Sequence, residues 1–375
     1  LFNSDELALI FRNKSVILSL IQSNAIDVQT LMNNFIDNVD MLEYFSNEFL
    51  KTDKKWFKKQ QKNYPQVQTF MDSINQKEHL QCRINGIHHE QYAKLIREDD
   101  LDQFQQFMAY NNETISSIMG FSPYESMNDV KSLTYVEYAA LFGSINIFKF
   151  LWLNNASKAS DKLLQYAIAG GNYDIIHIVE QKYEYNVQCL IEAIRFHRNE
   201  LVEYIVEGVD VEFTIDALFE SIKSFNMDVF VKYAPKLLRN INVKSFSGQT
   251  ALHVACQSGN FNVVKMLVEV SEQKPNSKDE NGRTALHYAA RAGFMNVVKH
   301  LVKYTPVNIE ARDKLQNAPI HLAALFCRLD IVKFISTLKR IDVNIVDRIL
   351  FCMFSNKGIL LLFFLIHNKA TKFER

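Results

Sequence analysis

Apolar and polar positions follow one recurring phrase along the chain, cleanest from Thr250 to Leu267. Behind Thr250 come Leu252, Val254 and Ala255, then Gly259, then Asn262 followed by Val263, Val264 and Leu267. The phrase returns from Thr284 with Ala289, Gly293, Asn296, Val297, Val298 and Leu301, and again from Ala318 with Ala323, Asp330, Ile331, Val332 and Ile335. A Thr side chain accepts the unpaired N–H groups of a helix N-terminus, so a short helix is predicted at each head. Gly259 and Gly293 stand where the chain must reverse, and a residue without a Cβ takes φ > 0 there at little steric cost. Asn262, Asn296 and Asp330 read as caps of a second helix, whose apolar face is set by the residues at i+1, i+2 and i+5. Neither helix can bury its face alone, so consecutive phrases must stack.

Upstream the phrase persists in degraded form. Thr134 to Ala139 make a head with Gly143 on the turn, Asn146 on the cap and Ile147, Phe148 and Leu151 behind it. Further units carry Ala167, Gly171 and Asp174, then Ala193 and Glu200, then Ser221 and Asp228; a weaker one puts Asp102 at the cap before Phe104 and Phe107. The Ala slot advances by about 26 to 28 residues from Ala139 to Ser221, then by about 34 to Ala255, Ala289 and Ala323. Two helices need roughly 20 residues, so the short units have no room for the projecting hairpin that fills the rest of a long one. The expected fold is all-α: helix-turn-helix units stacked into a solenoid, with β-hairpin fingers only from residue 241 onward. A hairpin between Leu153 and Ser160 would count against it.

The ends differ. Residues 1–86 show helical spacing (Leu7, Ile10, Phe11; Val16, Ile17, Leu20, Ile21; Leu31, Phe35) and read as a helical cap or domain. Residues 87–240 hold the short units and 241–347 the full ones. At 348–375 a further unit starts in register at Asn344 and then fails, running apolar from Ile349 to Phe354 and from Ile359 to Ile366. A terminal repeat should turn a polar face outward. Three accounts compete: the tail packs on the last repeat or a partner, it is the product of a shifted frame or retained intron, or it enters a membrane. Lys357 and Gly358 at the midpoint weigh against the last.

Charge narrows the partners. Lys+Arg and Asp+Glu are equal at 42 each, so no global field recruits nucleic acid, and none is expected as a partner. Lys51, Lys54, Lys55, Lys58, Lys59 and Lys62 surround Trp56 and Phe57, a pattern that suits an anionic membrane or phosphate; a solvated helix face with its aromatics docked inward is the favoured reading. Five scattered cysteines without a Cys-x-x-Cys pair lead us to expect reduced thiols inside a cell, in the cytoplasm. Leu1 to Glu6 do not read as a signal peptide, but the chain lacks an initial Met, which leaves room for a true N-terminus and a targeting segment upstream.

Catalytic chemistry finds no foothold. His253, His287 and His321 recur at one repeat position without Cys, Asp or Glu at ligand spacing, so they read as buried imidazoles serving backbone groups. No phosphate-binding Gly loop is present, His88-His89 lacks a partner, and Glu98, Asp99, Asp100 and Asp102 sit where carboxylates complement a helix dipole. No cofactor, metal or enzymatic activity is expected.

The heads Thr250-Ala251-Leu252-His253 and Thr284-Ala285-Leu286-His287, at this period, resemble ankyrin repeats. Residues 87–240, through Tyr138 to Gly143 and Tyr166 to Gly171, resemble the short-unit domain of unknown function that precedes ankyrin arrays in large protist families. The resemblance implies a non-enzymatic scaffold that binds a partner protein on the concave face made by hairpin tips and first helices. Its slots fall on Phe246, Ser247, Gln249, Gln257 and Ser258; on Glu280, Asn281, Arg283, Arg291 and Ala292; and on Lys314, Leu315, Asn317, Leu325 and Phe326. Of these Phe246, Arg283, Arg291, Leu315 and Phe326 are the hot-spot types; the alternative packs Leu315, Leu325 and Phe326 against the failed last unit. Gln316 replaces the finger Gly and Cys327 the turn Gly, which leads us to expect distortion there. A membrane-associated adaptor using residues 51–62 or 349–366 is the second functional reading.

Overall fold

The computed structural model describes residues 39–73, 76–85, 90–111, 114, 117, 133–154, 159–238, 243–270, 274–326 and 328–338, with isolated helical positions before them (Ile17, Leu18, Ile21, Gln22, Val28 and Met32). The chain divides into two compact units, the break falling between Val211 and Glu212.

In the first unit, short helices α1 (Val39–Tyr44), α2 (Ser46–Thr52), α3 (Lys54–Asn63), α4 (Pro65–Ser73) and α5 (Gln76–Asn85) come first. The Asp53 carboxylate accepts from the Lys55 and Trp56 backbone N–H groups at 3.0 and 2.9 Å, which starts α3 directly after α2. The lysines of residues 51–62 are all exposed, Phe57 is buried and Trp56 is half-buried, edge-on to Phe49 at 5.6 Å. The aromatics face inward, as the solvated-face reading expected. Among the described residues no helix is long and apolar enough to cross a membrane.

Helix pairs follow: α6 (Gln91–Glu98) with α7 (Leu101–Tyr110), α8 (Tyr135–Phe142) with α9 (Ile145–Leu153), α10 (Leu163–Gly170) with α11 (Tyr173–Val179), and α12 (Val187–Arg195) with α13 (Asn199–Glu203), whose last turn widens to a π turn through Gly208. First helices pack on first helices (α6 on α8 on α10 on α12), and second on second (α7 on α9 on α11). The second unit repeats the scheme with α14 (Ile215–Lys223) and α15 (Met227–Leu238), α16 (Ala251–Ser258) and α17 (Phe261–Val270), α18 (Ala285–Ala292) and α19 (Met295–Tyr304), and α20 (Pro319–Leu325) and α21 (Leu329–Ser336). Ala255, Ala289 and Ala323 are fully buried where first helices meet, and Val263, Val264, Leu267, Val297, Val298 and Leu301 fill the space behind them. This is an all-α solenoid, and among the described residues it contains no strand.

The long and short units differ in their connections, although the fingers are tight turns and not the expected β-hairpins. Residues 180–186 and 209–214 pass from one pair to the next without a projecting turn, whereas 245–249, 279–283 and 313–317 each form one. Residues 155–158, part of the interval set as a test, lie outside the described residues, as do Cys327, Cys352 and the whole tail from 339.

Two further expectations need correction. The second helices start about two residues earlier than the phrase suggested: their caps are Ser144, Asn172, Arg198, Phe294 and Arg328, and Asn260 O accepts the first helical bond of α17. Asn146, Asp174, Glu200, Asp228, Asn262, Asn296 and Asp330 therefore sit inside the first turn, where a polar or acidic side chain still complements the N–H groups. Likewise α7 is capped by Asp100, whose carboxylate accepts from Gln103 N–H at 3.0 Å, rather than by Asp102. Nor does Gln316 distort its finger. At φ 64° it adopts the left-handed conformation of Gly248 (72°) and Gly282 (75°).

Candidate partner-binding surface

The fingers are built from one tight turn used three times. Ser245 N–H donates to Gln249 O at 2.9 Å and Gly248 N–H to Ser245 O at 2.9 Å; Asp279 with Arg283 and Gly282, and Asp313 with Asn317 and Gln316, repeat both bonds. The first residue of each turn also closes it with its side chain. Ser245 Oγ accepts from Gln249 N–H at 3.2 Å, Asp279 Oδ1 from Arg283 N–H at 2.7 Å, and Asp313 Oδ1 from Leu315 and Asn317 N–H at 2.9 and 2.7 Å. Successive fingers join edge to edge: Glu280 N–H donates to Ser247 O at 3.0 Å and Lys314 N–H to Asn281 O at 2.8 Å. The ladder is too sparse to register as strands, yet it places the tips in one row.

Histidines fix that row to the helices. His253 Nδ1 accepts from the Thr250 N–H at 3.1 Å and the Thr250 hydroxyl at 2.8 Å, so Nε2 carries the proton and donates to Arg283 O in the next finger at 3.0 Å. His287 does the same with Thr284 and Asn317 O. Burial holds both imidazoles below their usual range, and so keeps them neutral, as these bonds require. His321 Nδ1 accepts from Ala318 N–H at 2.9 Å. The scaffold reading of these residues fits this geometry. Among the described residues no cluster of His, Cys, Asp or Glu is arranged to hold a metal.

The candidate slots divide into two sets. Phe246 is 100% exposed and Leu315 75%, while Gln257, Glu280 and Lys314 are also exposed. Gln249, Arg283, Arg291 and Phe326 are half-buried and held in place. The Gln249 amide donates to the Tyr288 hydroxyl at 2.9 Å, which donates to Asp279 Oδ2 at 2.6 Å. Arg283 Nε lies 3.7 Å from Asp313 Oδ2, and the Arg291 guanidinium sits 4.7 Å from the centre of the Phe326 ring. The geometry thus brings Arg291 and Phe326 together across two repeats and leaves Phe246 and Leu315 on separate tips. The packing alternative for Leu315, Leu325 and Phe326 invoked residues that lie outside those described; Leu315 itself is open to solvent.

One set of side chains on this surface was missed. Lys244 Nζ donates to Lys278 O at 3.3 Å and Lys278 Nζ to Arg312 O at 2.8 Å, so the same slot of three successive units carries a cation at the base of the finger. The signal was in the register, since 244, 278 and 312 keep the long period, but a lysine in a connecting segment reads as ordinary solvated charge.

A stack of helix pairs with a row of fingers on one edge defines a repeat scaffold of the protein-interaction class. Family comparison then supplies the family: residues 236–289 match ankyrin repeats (many copies), residues 270–347 match ankyrin repeats (3 copies), and residues 154–233 match a domain of unknown function (DUF3447). Residues 236–347 of the chain are ankyrin repeats, and they follow a divergent helical domain. No curated protein matches it. Ankyrin repeats are a protein–protein interaction module.

Proposed function

We propose that the protein is a non-catalytic scaffold that binds a partner protein across the finger tips and first helices of residues 243–326. The observation that carries the reading is the contrast along the finger row: a rigid base, with each tip bonded to the next, presents Phe246 fully exposed and Leu315 three-quarters exposed. Large apolar side chains held out on a rigid frame lose little entropy on binding and dominate interface energetics when covered. Cys189 and Cys256 are buried thiols outside any disulfide, which suits a reducing compartment and an intracellular role.

The test compares capture from an extract of the source cells by the full chain and by a Phe246→Ala, Leu315→Ala double variant. Proteins retained by the first and lost by the second, with identical melting curves, support the reading. An unchanged set of retained proteins rejects it.

A further inference from the structure

We infer that this surface takes an acidic segment of its partner, a peptide stretch rich in Asp and Glu with bulky apolar side chains between them. The inference rests on the concave-face reading above. Lys244, Lys278 and Arg312 form a column at the finger bases, Arg283 and Lys314 stand on the fingers themselves, and Arg291 lies in the last turn of α18.

What makes the cluster directional is the fate of the nearby carboxylates. Asp279 and Asp313 are buried and spend their oxygens inside their own turns, on the Arg283, Leu315 and Asn317 N–H groups and the Tyr288 hydroxyl. Glu280 is the exposed acid left on the fingers. Among the described residues, Arg283 alone of the six cations has a carboxylate within ion-pair distance, at 3.7 Å. Lys244 and Lys278 each hold a backbone carbonyl, which positions the ammonium group without neutralising it. A chain with 42 charges of each sign has therefore set on these fingers a cationic strip of which, among the described residues, Arg283 alone faces a carboxylate. Such a strip steers an oppositely charged partner and rejects like charge.

Phe246 and Leu315 at the ends of the strip decide between acidic ligands. Apolar tips have favourable contacts with peptide side chains, whereas a phosphodiester backbone offers them none beyond base stacking on Phe246.

The experiment sorts a phage-displayed random peptide library on the immobilised full chain, then measures retained peptides in solution by fluorescence anisotropy. Retained sequences are expected to be enriched in Asp and Glu. Their affinity should fall by about tenfold or more in a Lys278→Glu, Lys314→Glu variant with an unchanged melting curve, and fall again as ionic strength rises. Neutral or basic peptides that depend on Phe246 and Leu315 overturn the acidic partner and leave the concave-face reading standing. Acidic peptides indifferent to both pairs of substitutions overturn both. Failure to retain any peptide, or displacement of the peptides by a single-stranded oligonucleotide that itself binds more tightly, also overturns the inference.

Discussion

Glu137 and His253 occupy the same slot in two kinds of repeat, three residues after a capping Thr, and they tie the head of one unit to the chain that follows. Glu137 Oε2 accepts from the Thr134 N–H and hydroxyl, both at 2.9 Å, as His253 Nδ1 does from Thr250. On the far side the polarity inverts. Glu137 Oε1 accepts from the Ser160 N–H at 2.7 Å, 23 residues on, whereas His253 Nε2 donates to the Arg283 carbonyl at 3.0 Å, 30 residues on. The finger turns a carbonyl toward His253, and the connection after α9 turns an amide toward Glu137. Each side chain matches the polarity of the group it meets, and neither would suit the other's place.

That pairing can be broken most severely by exchange. His253→Glu sets a carboxylate against the Arg283 carbonyl in a buried site, and is expected to cost about 3 kcal/mol at neutral pH. His253→Gln keeps one acceptor and one donor, and should cost only about 1 kcal/mol. The same amide fails at Glu137, where both neighbours are N–H groups: Glu137→Gln should lose about 2 kcal/mol. Urea midpoints, with amide exchange read separately over residues 133–170 and 243–292, locate each loss. Glutamine tolerated equally at both sites would sink the polarity argument.

The two kinds of unit share a second coupling, and it gives the next largest effect. Asn172 Nδ2 donates to Gly143 O at 2.9 Å and Asn260 Nδ2 to Ile222 O at 3.0 Å, each from the start of a second helix to the end of the preceding first helix. Arg198 and Arg328 reach Gly170 O (3.4 Å) and Arg291 O (2.9 Å) from the same slot. Asn172→Ala and Asn260→Ala each remove the bond between units together with a cap bond, from Ile175 N–H and from Val263 N–H, and should cost about 2 kcal/mol in either context. Equal losses in denaturation would show that fingers are additions to a common helix-pair joint. A loss confined to Asn260 would mean that the short units are joined differently.

How much of this was legible follows from what each signal rests on. The period, the helix pairs and the finger boundary came from residues that recur because packing recurs. The caps slipped by two residues because Asn262, Asn296 and Asp330 are themselves capping types, while the true slot holds Phe294 and Arg328, which have no capping propensity, in two units and good caps such as Asn172 and Asn260 in others. A Cβ on Gly259 would lie 2.5 Å from the Phe294 ring and one on Gly293 2.8 Å from the Arg328 side chain, so the turn glycine and the following cap residue are one feature split over two phrases. Glu137 went unrecognised because residue type was matched, while the structure matches acceptor geometry. Among binding slots, the tips could be placed from the register; whether Arg291 faced solvent or Phe326 could not, since that depends on packing across repeats.

Acid should separate the regions more gently. His253 and His287 are held by burial below the unfolded imidazole value of 6.5, so the unfolded chain takes up protons first as pH falls. Stability from these groups is complete above that value and drains below it, by at most about 1.4 kcal/mol per pH unit for each imidazole. Exchange protection over residues 251–258 and 285–292 is expected to fall on going below pH 6.5 before that over 135–142, where Glu137 takes the place of the imidazole. His253→Glu should show the opposite trend, because protonation restores a donor toward Arg283. Parallel loss in both regions would place the acid sensitivity elsewhere.

The smallest effect tests whether the third finger, for all its departures, is held as firmly as the other two. Gln316 carries a side chain in a conformation that disfavours one by about 1 kcal/mol, and the contacts it makes are backbone ones: its N–H donates to Asp313 O at 3.0 Å and its carbonyl accepts from Arg312 at 3.2 Å. Gln316→Gly removes that strain and keeps both bonds, while the freer unfolded chain takes back part of the gain, so a net rise of about 0.5 kcal/mol is expected in urea denaturation. The reverse change, Gly282→Gln, adds the strain and brings a Cβ to 3.1 Å from the Lys314 backbone nitrogen, so it should cost slightly more than the first change returns. A gain at 316 would mean that neighbouring fingers hold the third in shape against its own sequence, through bonds such as Lys314 N–H to Asn281 O. No gain would mean that the turn follows from Asp313 alone, whose carboxylate closes it whatever residue stands at the left-handed position.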